Sequence, residues 1–132
     1  MNLPNFHDGF FDGFYVVGKK VVRLFLRTQD EKRYTLLLEG VEALKITEVQ
    51  RGNIILDVSI VPTEQLSCSL MEELYLIPPG DGASEKLTQL LDSAKSKGMQ
   101  CLEVAPSYGA ECVALFRTVE VENGHCPPTQ IP

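Results

Sequence analysis

Apolar and polar side chains alternate with a period of two through most of the first half of the chain. From Val21 to Arg27, Val22, Leu24 and Leu26 share one parity, while Val21, Arg23, Phe25 and Arg27 share the other. Successive side chains of an extended strand point to opposite faces, so the aliphatic set predicts a core face and the arginines a wet one. The aromatic and β-branched run over residues 10–17 predicts a preceding strand, with Gly18-Lys19 as the tight turn between the two. Polar Gln29-Asp30-Glu31-Lys32 breaks the pattern, and Arg33 to Leu38 predicts a third strand ending before Glu39-Gly40. Leu44 and Ile46 alternate with Lys45 and Thr47 in a fourth strand. Arg51-Gly52-Asn53 then turns the chain into a fifth over 54–61, where Asp57 belongs on the wet face.

Beyond Pro62 the period changes. Leu66, Leu70, Leu74 and Ile77 recur at spacings of four and three, which predicts a short helix capped by Thr63 and running to about Leu76. The run Leu74 to Ile77 is apolar on both parities, so a strand also fits there. Pro78-Pro79-Gly80-Asp81-Gly82 is a loop, and a second helix follows. Ser84 caps it, Leu87, Leu90, Leu91 and Ala94 form its apolar stripe, and Gly98 stops it. Met99 to Ala105 and Ala110 to Val121 predict two last strands joined through Pro106-Ser107-Tyr108-Gly109. The expected fold is α+β: a mainly antiparallel, curved or barrel-like sheet of six or seven strands, with one or two helices inserted before the last hairpin. Residues 1–122 form one domain, and 123–132 are expected as an exposed tail.

A chain of 132 residues fits one core, and 44% hydrophobic with 23% charged residues is an ordinary globular composition. No apolar run approaches the ~18 residues of a membrane span. The N-terminus lacks a basic region followed by an apolar stretch, which points to a cytoplasmic protein. The net charge of -6 lies wholly in residues 63–132, which hold ten acids and four bases against eight of each before them. Such a field disfavours nucleic acid and would draw a basic protein partner, although an acidic surface is mainly a solubility device. Cys68, Cys101, Cys112 and Cys126 form no C-x-x-C pair, so reduced thiols are expected rather than disulfides. A zinc site drawing on His125 and Cys126 lacks the usual local ligand spacing.

Chemistry-bearing groups crowd only at the start, in Phe6-His7-Asp8-Gly9-Phe10-Phe11-Asp12-Gly13. His7, Asp8 and Asp12 offer imidazole and carboxylate groups competent as ligands or proton carriers. On an extended strand Asp8 and Asp12 stand roughly 13 Å apart, so a joint site requires the chain to fold back at Gly9 or Gly13. Otherwise the two Asp-Gly pairs are turns. Ser107 and Tyr108 present hydroxyls at a loop, with no general base in view and a turn as the simpler role. The nucleophile elbow, the Walker loop, H-E-x-x-H and G-x-G-x-x-G are all absent from the sequence. No cofactor and no metal site are therefore expected.

Three segments, Phe6–Gly13, Gly52–Val58 and Pro106–Ala110, together resemble small uncharacterised bacterial proteins that open with a His-Asp-small motif, some of them of toxin-immunity type. That resemblance implies a binding module. With the missing catalytic motifs and the lopsided charge it leads to the expectation of a non-enzymatic, immunity-like protein, for which the residues themselves offer His7, Asp8, Asp12, Ser107 and Tyr108 as candidate partner- or ligand-binding groups. A small metal-assisted hydrolase using His7, Asp8 and Asp12 is the alternative. Strand edges left by an open sheet also allow a homo-oligomer.

Overall fold

The computed structural model describes residues 2–127. Five strands come first: β1 (Phe10–Val17), β2 (Val21–Arg27), β3 (Arg33–Glu39), β4 (Ala43–Thr47) and β5 (Ile54–Val61). After a single 3-10 turn over Thr63–Gln65 come α1 (Cys68–Tyr75) and α2 (Ala83–Ser96), then β6 (Gln100–Tyr108), β7 (Glu111–Phe116) and β8 (Thr118–Asn123). All pairings are antiparallel, in the order β4-β7-β6-β5-β1-β2-β3-β8. The expected α+β class holds, but the sheet has eight strands rather than six or seven, and it does not close.

The extra strand comes from a corner. The run expected as one strand over 110–121 bends at Arg117, so that β7 pairs with β4 while β8 pairs with β3. Its neighbour bends with it between β3 and β4, at Gly40. Gly40 has a φ of 66°, and a Cβ there would come within 2.8 Å of the Arg117 side chain. Only glycine meets both demands. The Arg117 amide donates to the Glu39 carbonyl at 3.0 Å and fixes the bend.

Two apolar layers follow from this path. Val22, Leu24, Leu26, Leu36 and Leu38 meet Leu102, Val104, Cys112, Ala114 and Phe116 in the main core. On the far side of β6 and β7, Cys101, Val113 and Leu115 pack under Met71, Leu74 and Ala94 of the helices. β7 is buried on both faces, which accounts for the unbroken apolar run Cys112-Val113-Ala114-Leu115-Phe116.

The first helix begins later than the leucine spacing suggests. Ser67, not Thr63, is its cap and accepts from the Leu70 amide, whereas the Thr63 hydroxyl donates to the Met99 carbonyl at 2.7 Å. For α2 the cap position is Gly82, and Ser84 lies within the first turn. The chain from Asn123 is also not simply an exposed tail. Asn123 ends β8, the Thr35 hydroxyl donates to the Gly124 carbonyl at 2.8 Å, and the Cys126 amide donates back to that hydroxyl at 2.8 Å. Thr35 is a fully buried polar residue on the otherwise wet face of β3, and these bonds hold the strap there. The remainder of the expected tail, 128–132, lies outside the described residues.

Candidate functional site

The opening motif folds as a β-turn that leads into β1. The Gly9 amide donates to the Phe6 carbonyl at 2.8 Å, and Asp8 supplies the positive φ of 59°. Asp and Asn tolerate this conformation better than most residues. Gly9 has a different duty: a Cβ there would collide with the backbone carbonyl of Arg27. Past the turn, Asp8 and Gly9 pair with Ile55 and Phe11 with Asn53, joining β1 to β5.

The candidate residues fall into three places along this junction. His7 and Asp8 share the turn, with Nε2 and Oδ2 3.5 Å apart and both side chains more than half exposed. His7 Nδ1 lies 2.7 Å from the Leu56 carbonyl, which can only accept, so Nδ1 is the donor of that bond. Asp12 is the extra residue of a β-bulge between Phe11 and Gly13. Its carboxylate does not turn back to Asp8. It accepts from Arg27 Nε at 2.6 Å and Nη2 at 3.0 Å, a two-pronged ion pair.

Arg27 is the hub of that second place. Besides Asp12 it reaches Glu31 at 3.1 Å and lies 4.4 Å over the Phe10 ring. The hydrogen bond and charge of Asp12 raise its already high pKa further, so it is a permanent cation. His125 comes from the strap: its Nε2 is 3.2 Å from the Leu26 carbonyl and 3.4 Å from Asp12 Oδ2, and its ring lies against Phe25. Neither Arg27 nor His125 was marked by sequence as a partner of Asp12, because they stand 15 and 113 positions away from it.

Ser107 and Tyr108 occupy the third place, at the exposed end of β6. Strand register connects it to the others. Tyr108 pairs with Ile54, Ile54 with Phe10, Phe10 with Arg27 and Arg27 with Arg33, one row across five strands. Tyr108 is 55% exposed in that row. The turn behind it is secured by Asn53, which is buried and bonds four backbone groups with its side-chain amide.

Beyond the row, β1 carries an unusual surface. Phe14, Tyr15 and Val16 are 43%, 42% and 46% exposed, and Val49 in the facing loop is 55% exposed. Phe14 and Val16 stand on one face of the strand and Tyr15 on the other, so this stretch of β1 leaves large apolar side chains in water on both faces. A small cleft of about 140 Å³ opens between Phe10, Phe14, Val49, Arg27 and Arg51. A wider and shallower one of about 570 Å³ is lined by Asn5, His7, Asp30, Lys32 and Tyr34.

Among the described residues no group of three or more His, Cys, Asp and Glu side chains is placed to hold a metal ion. All four cysteines are free. Burial pushes the thiols of Cys101 and Cys112 up to about 12, so they are packing residues rather than nucleophiles at neutral pH. No helix among the described residues is long and apolar enough to cross a membrane. No family model, curated protein or solved structure matches the chain.

Proposed function

We propose that the protein is a non-enzymatic protein-binding module of the immunity-like kind, which docks another protein on the β1 side of its sheet. The observation that carries this reading is the run Phe14-Tyr15-Val16, each side chain more than two-fifths exposed on one strand. A chain that buries Val22, Leu24 and Leu26 completely on the adjacent strand has no packing reason to leave these in water. On the face of Tyr15, the row Tyr108–Ile54–Phe10 carries the apolar surface toward His7 and Asp8, so these candidate residues border that side of it.

The metal-assisted hydrolase is less well supported. It needs Asp12 free to join His7 and Asp8, but Arg27 occupies both oxygens of Asp12. The two readings separate in one experiment. The tagged protein is used to capture partners from the lysate of its native host, in parallel with a Phe14→Ser, Val16→Ser variant. The binding reading expects a partner that co-elutes with wild type in size-exclusion chromatography and is lost from the variant. Absence of a partner, together with small-substrate turnover that disappears in the His7→Ala, Asp8→Ala, Asp12→Ala variant, would replace it with the hydrolase.

A further inference from the structure

We infer that the free edge of β1 receives an extended acidic segment of the partner as an added strand. This rests on the protein-binding reading and specifies the partner's chemistry and the mode of docking. β1 meets β5 only around Phe10, where the Phe11 amide donates to the Asn53 carbonyl at 2.9 Å. From Asp12 to Val17 it pairs with β2 alone. Backbone groups of an antiparallel strand face alternate sides, and the bulge at Asp12 shifts the phase. Gly13, Tyr15 and Val17 therefore bond toward β2, while the amides and carbonyls of Phe14 and Val16 face outward. These outward groups are the template on which a strand can be added.

Side chains prepare both faces of that template. Phe14 and Val16 have the parity of Leu24 and Val22 and extend the inner apolar face, whereas Tyr15 stands on the other with Arg23. An added strand would thus bury apolar area on each side. The 140 Å³ cleft beside Phe14 and Val49 is the size of a single side chain.

Charge selects the occupant. Lys19 and Lys20 close one end of the edge and Arg51 lies at the other, and none is in an ion pair among the described residues. Asp12 is paired with Arg27, and Glu48 is the acid of the facing loop. Because Arg27 is shared by Asp12 and Glu31, one carboxylate charge there and Glu48 stand against Lys19, Lys20 and Arg51, a small cationic excess that favours an acidic segment here rather than the basic partner expected from the charge of residues 63–132. The same cations oppose self-pairing, because two β1 edges joined antiparallel would bring Lys19 and Lys20 of each copy toward Arg51 of the other.

The test uses random twelve-residue peptides displayed on phage and selected on the folded protein. Selected sequences are expected to alternate apolar residues with Asp or Glu. As synthetic peptides they should lose at least about tenfold in affinity on Val16→Pro, roughly 1.4 kcal/mol. Because the Val16 amide faces outward, proline there spares the bonds to β2. A Lys19→Glu, Lys20→Glu, Arg51→Glu variant, altered only at exposed positions, should lose at least as much and guards against misfolding of the proline variant. Selection of basic peptides, binding insensitive to both variants, or enrichment of nothing would overturn strand addition. So would a wild-type dimer by light scattering that the Val16→Pro change dissociates. Host-lysate capture that survives Val16→Pro but fails with the Phe14→Ser, Val16→Ser variant would leave the binding reading standing without this mode.

Discussion

Asn53 places its side-chain oxygen in the space that a Cβ on Gly109 would fill, and from there it accepts the Ala110 amide at 2.9 Å. The same oxygen accepts the Gln50 amide at 2.8 Å, while Nδ2 donates to the carbonyls of Phe11 and Gln50. One buried amide thereby ties the β4–β5 loop, β1 and the β6–β7 turn together. Asn53→Ala leaves two buried backbone groups, the Phe11 carbonyl and the Ala110 amide, unpaired, each worth about 1–3 kcal/mol, and should cost about 3 kcal/mol in urea unfolding. Asn53→Asp should be no better at neutral pH, because a carboxylate cannot donate to the two carbonyls. A loss below about 0.5 kcal/mol in either variant would show that the ties are dispensable.

Gly40 should tolerate no side chain. Alanine there must accept a left-handed backbone and displace the Arg117 side chain, so Gly40→Ala should lower stability by about 1–3 kcal/mol. Gly52→Ala is the control, since nothing lies within 4 Å of its Cβ direction and its φ is not positive. Equal melting temperatures for the two would contradict the account of the corner.

Thiol labelling should divide the cysteines by burial. Cys68 is exposed and should react first with a disulfide reagent at neutral pH, with the partly covered Cys126 slower. Cys101 and Cys112, buried and with pKa values pushed up to about 12, should react only on unfolding. Four thiols labelled at one rate in the folded protein would refute the packing of β6 and β7.

Glu73 supplies a pH signature. Burial, followed by the nearby charge of Glu111, raises its pKa above the usual carboxylate value. A raised folded-state pKa means that its contribution is most favourable below the unfolded value, about 4.3, and is lost as pH rises through the folded one. Glu73→Gln should therefore melt higher than wild type at neutral pH, with the difference shrinking as the pH falls to about 4. A difference that grows on acidification would reverse the sign and exclude this origin.

Local pattern carried much of the fold. The alternation in β2 was legible because one face is wholly buried and the other bears arginines, so each residue reports its side. The corner at Arg117 was not, because β7 and β8 form one apolar-rich run and the break comes from pairing with distant β3 and β4. Thr63 and Ser67 are both plausible caps in sequence, and only the bond from Thr63 to Met99, 36 residues away, decides between them. Among the candidate residues, the sequence named His7, Asp8, Asp12, Ser107 and Tyr108 but not how they are arranged. Arg27 looked like a solvent-facing arginine and His125 like part of a loose tail, and both meet Asp12 only after the sheet has formed. The exposure of Phe14 and Val16 was hidden for a related reason: their parity is that of the core, and only the departure of β5 from β1 leaves them in water.

The most direct test of the docking account is amide hydrogen exchange at Phe14 and Val16, followed by NMR in the free protein and in complex with its captured partner. In the free protein these two amides should exchange quickly while Tyr15, bonded toward β2, is protected; in the complex they should slow markedly with Tyr15 little changed. Protection of Phe14 and Val16 already in the free protein, or unchanged exchange in the complex, would contradict the claim that this edge is where the partner adds its strand.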